Sequence, residues 1–565
     1  MSAPALEPAA PQVIPIPPHF PVQWNSPHEQ RFFWTQDRMH FPDICTPIDA
    51  AVMEPIHNES FNQPFAAMGM PVRMHARAIN GRMYMAMAPT MTSPEEMHAA
   101  EAGVQEKMSA RVADLDRQWR EESLPELQRH LEQWATFDLQ GAGTAELLAH
   151  LDDTVTRMLR CWAIHFFTVF PAFVSISLFD ELYRDIFGTE SEFGSYKLLQ
   201  GMLNKSVEAG EALWKLSRRV LMLPEVHTVL AEEAADDIVS ALERSRSGRA
   251  FLAEFQAYLL EYGQRGDKYL LSTPSWLEDP RPAIRMLQDY CRRMEPDPEQ
   301  ERATLAAERE QLIAQARRQL QGYPQQVVGQ FEFFLKAAQV GNQLHEDHNF
   351  WIDQRVMYRV RQVFMEFGRR FVAAAVLAEA NDVFLLTLPE IRATAAVLPA
   401  LQQQQTVVAR KTELARLATL QAPPALGSLP PGPPPDNPLA RAMGKFFGAP
   451  PRPSDDANVL YGHAGSPGVI RGPVRMLRSL TEAGKLQQGD VLVAETTAPP
   501  WTPLFATAAA VVTDTGGILS HCAVVAREYR IPAVVGVGSA TATLHDGQMV
   551  EVDGDAGLVR ILSAS

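Results

Sequence analysis

The sequence predicts a multidomain protein: a mainly α-helical domain with a small β element, followed by a compact α/β domain. Three observations predict it. At 565 residues the chain is too long for a single core. From Ser93 to about residue 420, apolar residues recur at three- and four-residue spacing, as with Val356, Val360, Val363, Phe364, Phe367 and Phe371. Beyond residue 457 the period shortens to β-rich runs punctuated by Gly, among them DVLVAE, AAVVTD and MVEVDG.

Taken in order, residues 1–22 form a Pro-rich arm, in which Pro4, Pro8, Pro11, Pro15, Pro17, Pro18 and Pro21 suit an extended chain on the surface. Residues 23–420 are the helical domain. Near its start, VRMHARAINGRMYMAM alternates around Asn80-Gly81, a dipeptide that supplies the positive φ angles of a tight hairpin. Met83, Met85 and Met87 share one face there, suited to core filling or to lining a pocket for a flat ring. Ser93-Pro94-Glu95-Glu96 then marks a helix start, with an N-cap, a proline at the first helical position and an acidic third residue. Residues 421–457, with PPALGSLPPGPPPDNP at their head, read as a linker without helix or strand, and 458–565 as the α/β domain.

Composition excludes some classes of function. With 51 Lys and Arg against 67 Asp and Glu, the net charge of −16 gives no electrostatic footprint for nucleic acid. No apolar run of membrane-span length and no basic leader are apparent, so a cytoplasmic protein without a membrane partner is expected. Cys45, Cys161, Cys291 and Cys522 are far apart and read as free thiols.

The segment AVVTDTGGILSHCAVVAREYRIPAVVGV, residues 510–537, carries the chemistry. A buried strand stops at Gly516-Gly517, where absent side chains permit a tight turn and the close approach of another group. Ser520 is placed as an N-cap, so His521 falls in the first turn of the next helix. Free amides and the positive end of the helix dipole can hold phosphate oxygens there, and the same field disfavours imidazolium. A neutral imidazole beside an anion site is a nucleophile for phosphoryl groups.

This string resembles the phosphohistidine motif of the swivelling domain of phosphoenolpyruvate-utilising enzymes, TxGGxxSHxAxxARExxIPAVVG. Thr513, Gly516, Gly517, Ser520, His521, Ala523, Ala526, Arg527, Glu528, Ile531 and Pro532 stand in register with it, and GSPGVIRGPV, TTAPPWTPLF and VDGDAG flank it. The resemblance implies that His521 is the catalytic phosphate carrier, with Thr513, Gly516, Gly517 and Ser520 supporting the phosphate site. More loosely, residues 1–420 resemble the helical substrate domain of rifampin phosphotransferase and of the phenylphosphate synthase large subunit. FFWTQDRMHFPDICTPID, LLQGMLNKS, EYGQRGDKYLLSTPSWLEDP and HEDHNFWIDQ carry that likeness. Arg265 and Lys205 are substrate-site candidates by the same resemblance. After the YGxR motif, where rifampin phosphotransferases have an acidic residue, this chain has Asp267-Lys268-Tyr269, which is read as a departure that disfavours an antibiotic substrate.

His348, Arg355 and Arg359 fall at intervals of seven and four, which puts a proton acceptor and two guanidinium groups on one helical face. His345, Glu346 and His348 lack the spacing of a zincin helix and an evident further ligand, so no metal is expected. Only 44 residues follow His521, too few for the barrel of pyruvate-dependent relatives, and the helical part has no GxxxxGK[ST] loop. The expectation is therefore the substrate- and phosphohistidine-bearing subunit of a two-component dikinase. A partner ATP-grasp subunit would bind ATP and Mg2+, phosphorylate His521 and leave AMP and phosphate, and the acceptor would be a small phenol. The alternatives are a phosphotransferase for a larger hydroxylated natural product and a phosphocarrier or regulatory protein.

Overall fold

The computed structural model describes residues 12–91, 93–188, 193–292, 297–430 and 435–562. The helical body is organised by one 44-residue helix, Thr144–Phe187. No Asp, Glu, Lys or Arg occurs in residues 161–179, which corrects the expectation that no apolar run approaches membrane-span length. The helix is long and apolar enough to cross a bilayer by length and composition, but 83% of its most apolar window is buried inside the protein. A helix apolar on every side needs cover on every side. Helices Pro94–Arg117, Gln325–His348, Met357–Ala373 and Pro438–Phe447 supply it.

The early β element is a four-stranded antiparallel sheet in the order β2-β3-β1-β4, with β1 Phe33–Gln36, β2 Val72–Ile79, β3 Arg82–Pro89 and β4 Ala425–Gly427. Asn80 and Gly81 take φ of 49° and 74°, as a primed hairpin turn requires. The methionine face is graded in burial along the strand. Met83 is fully buried in the helical core, and burial falls along the strand until Met87 is 43% exposed.

Two expectations about the Pro-rich segments are corrected. Residues 1–11 of the arm lie outside the described residues; from Val13, which bridges Ser428, the arm runs inward, and Phe20 is buried against Tyr84. The segment 421–457 holds both a strand and a helix. Proline is tolerated beside an edge strand and is favoured at the first position of a helix. Accordingly β4 joins the sheet edge after Pro424, and Pro438 opens helix Pro438–Phe447 behind the cap Asn437, whose side chain accepts the Ala440 N–H at 2.9 Å. That helix buries Leu439 and Ala442 and ties Lys445 to Asp180 at 2.8 Å. Among the described residues, 449–458 is the longest run here that is continuously exposed and without helix or strand.

The C-terminal sheet has eight strands in the order β5-β12-β11-β7-β8-β9-β10-β6. They are β5 Val459–Tyr461, β6 His463–Ser466, β7 Val469–Met476, β8 Val491–Ala494, β9 Ala510–Thr513, β10 Ala533–Val535, β11 Met549–Asp553 and β12 Leu558–Ile561. Strands β7 to β10 are parallel. Every residue of β8 and β9 is buried, which is why they read as unbroken apolar runs. One apolar cluster crosses between the domains, joining Leu213, Phe255, Trp276 and Met286 to Leu480, Trp501, Phe505 and Ala523.

Brief digestion with a non-specific protease should first cut within 449–458 and leave 421–447 with the helical fragment; mass spectrometry of the early fragments checks this. A second expectation concerns pH. Burial lowers His57 to about 4, with its Nδ1 held at 2.8 Å from the Met53 carbonyl oxygen, and burial also lowers His345 to about 4. The unfolded chain binds these protons near pH 6.5, so the stability these groups contribute is full above that value and is lost as pH falls towards 4. Each can cost at most about 1.4 kcal/mol per pH unit in that window. His40 has the opposite sign, because Asp37 raises it against the effect of burial. Urea denaturation at pH 7, 6 and 5 should show falling stability, with a shallower slope in His57→Gln.

Candidate functional site

His521 opens helix His521–Glu528 just beyond the carboxyl end of β9, the crevice in which open α/β sheets place ligands. Gly516 takes φ +99°, accessible to glycine, and turns the chain. Gly517 meets the close approach that the sequence predicts, but the approaching group is protein. A Cβ there would stand 2.3 Å from the Lys445 carbonyl oxygen. The Gly517 N–H donates to the Phe446 carbonyl at 2.8 Å, and the Leu519 N–H to that of Lys445 at 2.9 Å. The amide of Gly517, an expected support of the phosphate site, and that of Leu519 are thus occupied by the end of helix Pro438–Phe447. Thr513 donates its hydroxyl to the Thr515 carbonyl at 2.9 Å and so shapes the turn. Ser520 occupies the N-cap position without a side-chain cap bond, and its hydroxyl oxygen is buried with no hydrogen-bond partner.

The His521 ring is 6% exposed and faces the helical domain. Its Nδ1 lies 3.1 Å from Glu346 Oε1, and its Nε2 lies 3.4 Å from the Thr502 hydroxyl. Glu346 is 2% exposed and also accepts the Ser206 hydroxyl at 2.6 Å. Burial alone would raise its carboxyl; His521 and His345, with the Ser206 bond, overcome this and hold it well below the usual carboxylate range. A proton on Nδ1 donated to Glu346 leaves the lone pair on Nε2, towards Thr502.

Two further motif residues join the domains. Arg527, half-buried, donates to the Gly465 carbonyl at 2.8 Å and lies over the Tyr196 ring. Glu528 accepts the Gly201 N–H at 2.9 Å, and burial pushes its carboxyl up to about 7.

The predicted acceptor face divides. Asn349–Val356 is a π-helical stretch, which breaks the α-helical phase between His348 and the two arginines. His348 is buried and donates from Nδ1 to the Leu344 carbonyl at 2.6 Å, whereas Arg355 lies over the rings of Phe350 and Trp351 and pairs with Glu261 at 2.7 Å. The single face of His348, Arg355 and Arg359 is therefore corrected. Lys205, Arg265 and Arg355 do gather. Lys205 also lies over Phe350, and Arg265, 4% exposed, interacts electrostatically with both Arg355 and Glu346. Arg265 Nη2, Arg355 Nε and Arg359 Nε are buried without hydrogen-bond partners. Lys205 Nζ is paired with Glu208 at 2.5 Å, and Arg359 donates to Gln362 at 2.8 Å.

Glu346 is the main residue that sequence reasoning missed, since spacing presented it only as a candidate metal ligand. Its signal lay in HEDHNFWIDQ, as that of Thr502 lay in TTAPPWTPLF. Asp267 also needs correction. It is itself an acidic residue after the YGxR motif, and it accepts the Leu480 N–H at 3.2 Å across the domain seam, so the sequence there does not disfavour a larger acceptor.

Residues 486–557 match the PEP-utilising enzyme mobile domain. The C-terminal domain is a mobile domain of that family. Residues 165–346 match the rifampicin phosphotransferase fourth domain, a match that ends on Glu346. The chain is 38% identical over 97% of its length to the chondramide synthase cmdD of Chondromyces crocatus, where it covers 14% of that protein. It is 31% identical to the uncharacterized phosphotransferase YvkC of Bacillus subtilis, over 72% of this chain and 48% of the relative. With a rifampicin phosphotransferase of Streptomyces sviceus the identity is 30%, over 64% and 40%. The chain thus spans less than half the length of these relatives.

The mobile domain's seating on Pro438–Phe447 can be tested at Gly517. Gly517→Ala should displace the helix end, raising amide exchange across 438–447 by about tenfold or more while the exchange of β8 and β9 stays unchanged.

Proposed function

We propose that this chain is the phosphohistidine-bearing, acceptor-binding part of a phosphotransferase, and that it moves a phosphoryl group from His521 to the hydroxyl of an organic acceptor held by the helical domain. The contact of His521 with Glu346, a carboxylate of the other domain, carries this reading. With Nδ1–H donated to Glu346, Nε2 is the nucleophile towards the phosphoryl donor. Once phosphorylated there, the ring docked against Glu346 keeps its Nδ1 proton, so that it leaves as neutral imidazole, whereas a ring without that proton would have to leave as the far poorer leaving group imidazolate. In transfer, the acceptor oxygen bonds to phosphorus as the P–Nε2 bond breaks, the electron pair returns to Nε2 of a neutral imidazole, and the hydroxyl proton leaves to water.

Ser520 supplies a buried hydroxyl without a partner for a phosphoryl oxygen. Arg265 and Arg355, each with an unpaired N–H, supply positive charge on the acceptor side. The phosphoryl donor is ATP with Mg2+, handled by an ATP-grasp unit outside these residues, as the family resemblance implies.

For the acceptor, a hydroxylated natural product is favoured over a simple phenol. The names of the relatives support this, since rifampicin phosphotransferases recur among them and a prodigiosin synthesizing transferase of Serratia marcescens is 28% identical over 63% of this chain. The cavity of about 30 Å³ beside Arg265, Tyr269 and Tyr358 holds a water or two and no aromatic ring in this arrangement, so it favours neither acceptor.

With an ATP-grasp partner and ATP labelled at the β phosphate, acid-labile label should appear on His521 and vanish in His521→Ala. Glu346→Gln should slow transfer from phosphohistidine to acceptor by about 100-fold or more, without abolishing labelling. Label on another residue, or unchanged transfer in Glu346→Gln, would overturn the proposal.

A further inference from the structure

His348, taken out of the acceptor face by the π-helical stretch, faces two other groups. In an α-helix, residues five apart point in different directions; in Asn349–Val356 the i→i+5 turn brings Asp353 back to the His348 side. The long core helix contributes His165 opposite them. Asp353 Oδ2 stands 3.3 Å from His165 Nδ1 and 3.9 Å from His348 Nε2, and the two imidazoles meet edge to face at 4.5 Å between centroids. Their three ligand atoms lie within 4.8 Å of one another, the one such grouping among the described residues.

The hydrogen bonding of this cluster is incomplete. Asp353 Oδ2 and His165 Nδ1 are both buried and have no hydrogen-bond partner, although they face each other. The side chains of His165, His348 and Asp353 are 13%, 6% and 4% exposed, so water does not readily satisfy them. A charged pair that bonded directly would close to about 2.7–2.9 Å with good alignment. The bond from His348 Nδ1 to the Leu344 carbonyl fixes the proton there and leaves the Nε2 lone pair facing the cluster, an orientation typical of metal-binding histidines. Three donors at about 2.1 Å from one ion stand roughly 3–4 Å apart, which matches both measured separations.

We propose that His165, His348 and Asp353 bind one divalent transition-metal ion. Two imidazoles and a carboxylate select a borderline ion such as zinc, manganese, iron or cobalt over magnesium or calcium, and three protein ligands leave at least one coordination position for water or a ligand oxygen. Binding of the ion does not depend on the phosphotransfer reading. Its place does suggest a role in that reaction, because Asp353 also lines the small cavity beside Arg265 and Tyr269.

The test uses the full chain, freed of metal by chelator and titrated with Zn2+ and Co2+ against a chromophoric chelator. The expected result is one equivalent bound, a cobalt visible spectrum of a low-symmetry nitrogen and oxygen site, and a raised melting temperature. Asp353→Asn and His165→Gln should each weaken binding about 100-fold or more, whereas His57→Gln, a buried histidine outside the triad, should leave it unchanged. Wild-type protein that takes up well under one equivalent overturns the proposal whether or not the variants fold. So does unchanged affinity in a folded Asp353→Asn, which would place any bound metal elsewhere.

Discussion

Taking a carboxylate out of water costs several kcal/mol unless it is paired, and Glu346 is 2% exposed at the meeting of two domains. Its partners come from both sides: Ser206 from the helical body and His521 from the mobile domain. Removal of the mobile domain would leave that charge half satisfied. A buried ion pair adds little net stability over an apolar equivalent, but it penalises every arrangement that leaves one member alone. The Glu346–His521 contact is therefore best understood as setting register. It accepts the imidazole in one orientation, with Nδ1 towards the helical domain and Nε2 towards Thr502, and the orientation of the ring decides which nitrogen can carry phosphate.

Other contacts reinforce that register. Arg527 and Glu528, nearly two turns along the same short helix, reach the carbonyls of Gly465 and Ile518 and the amide of Gly201. Gly201 takes φ +67°, and a Cβ on it would stand 2.4 Å from the backbone of Ala306, so that turn has no room for a side chain. On the opposite side of His521, the end of helix Pro438–Phe447 accepts the amides of the Gly-Gly turn. The motif's glycines, its histidine and its Arg-Glu pair thus serve one surface, which docks on the helical body.

How much of this was legible in the sequence follows from the range of each interaction. The hairpin at Asn80-Gly81, the helix start at Ser93 and the turn at Gly516 are set by residues a few positions apart, and all three formed where the sequence placed them. The family likeness of the C-terminal domain was legible because its motif is contiguous. Helix Pro438–Phe447 was hidden because proline was read as a breaker, although at the first helical position it is favoured, and because the apolar partner of Leu439 and Ala442 lies some 260 residues away on the long helix. Glu346, in the α-helix Gln325–His348, was hidden because its partner His521 lies 175 residues away in the other domain, and the division of His348 from Arg355 was hidden for a different reason. An α-helical wheel fixes the phase of every residue, and a π-helical stretch, which has no reliable sequence signature, shifts it.

The same geometry constrains any movement of the mobile domain. In this arrangement His521 is held by Glu346 and by an apolar seam containing Trp276, Trp501 and Phe505, and domains joined by a large apolar interface do not separate by default. The exposed tether, 449–458, is ten residues long and spans at most about 31 Å at roughly 3.1 Å per residue, near the diameter of a single domain. Helix Pro438–Phe447 changes that limit. It grips the Gly-Gly turn through Lys445 and Phe446 while it is anchored to Asp180 and Glu181 of the long helix. Releasing it would free the amides beside His521 and add about ten residues to the tether, or roughly 31 Å more in an extended state. Reach and phosphate-site access are thus coupled through one short helix, so a mobile domain far from Glu346 would also be one whose Gly-Gly turn is open to a phosphoryl donor.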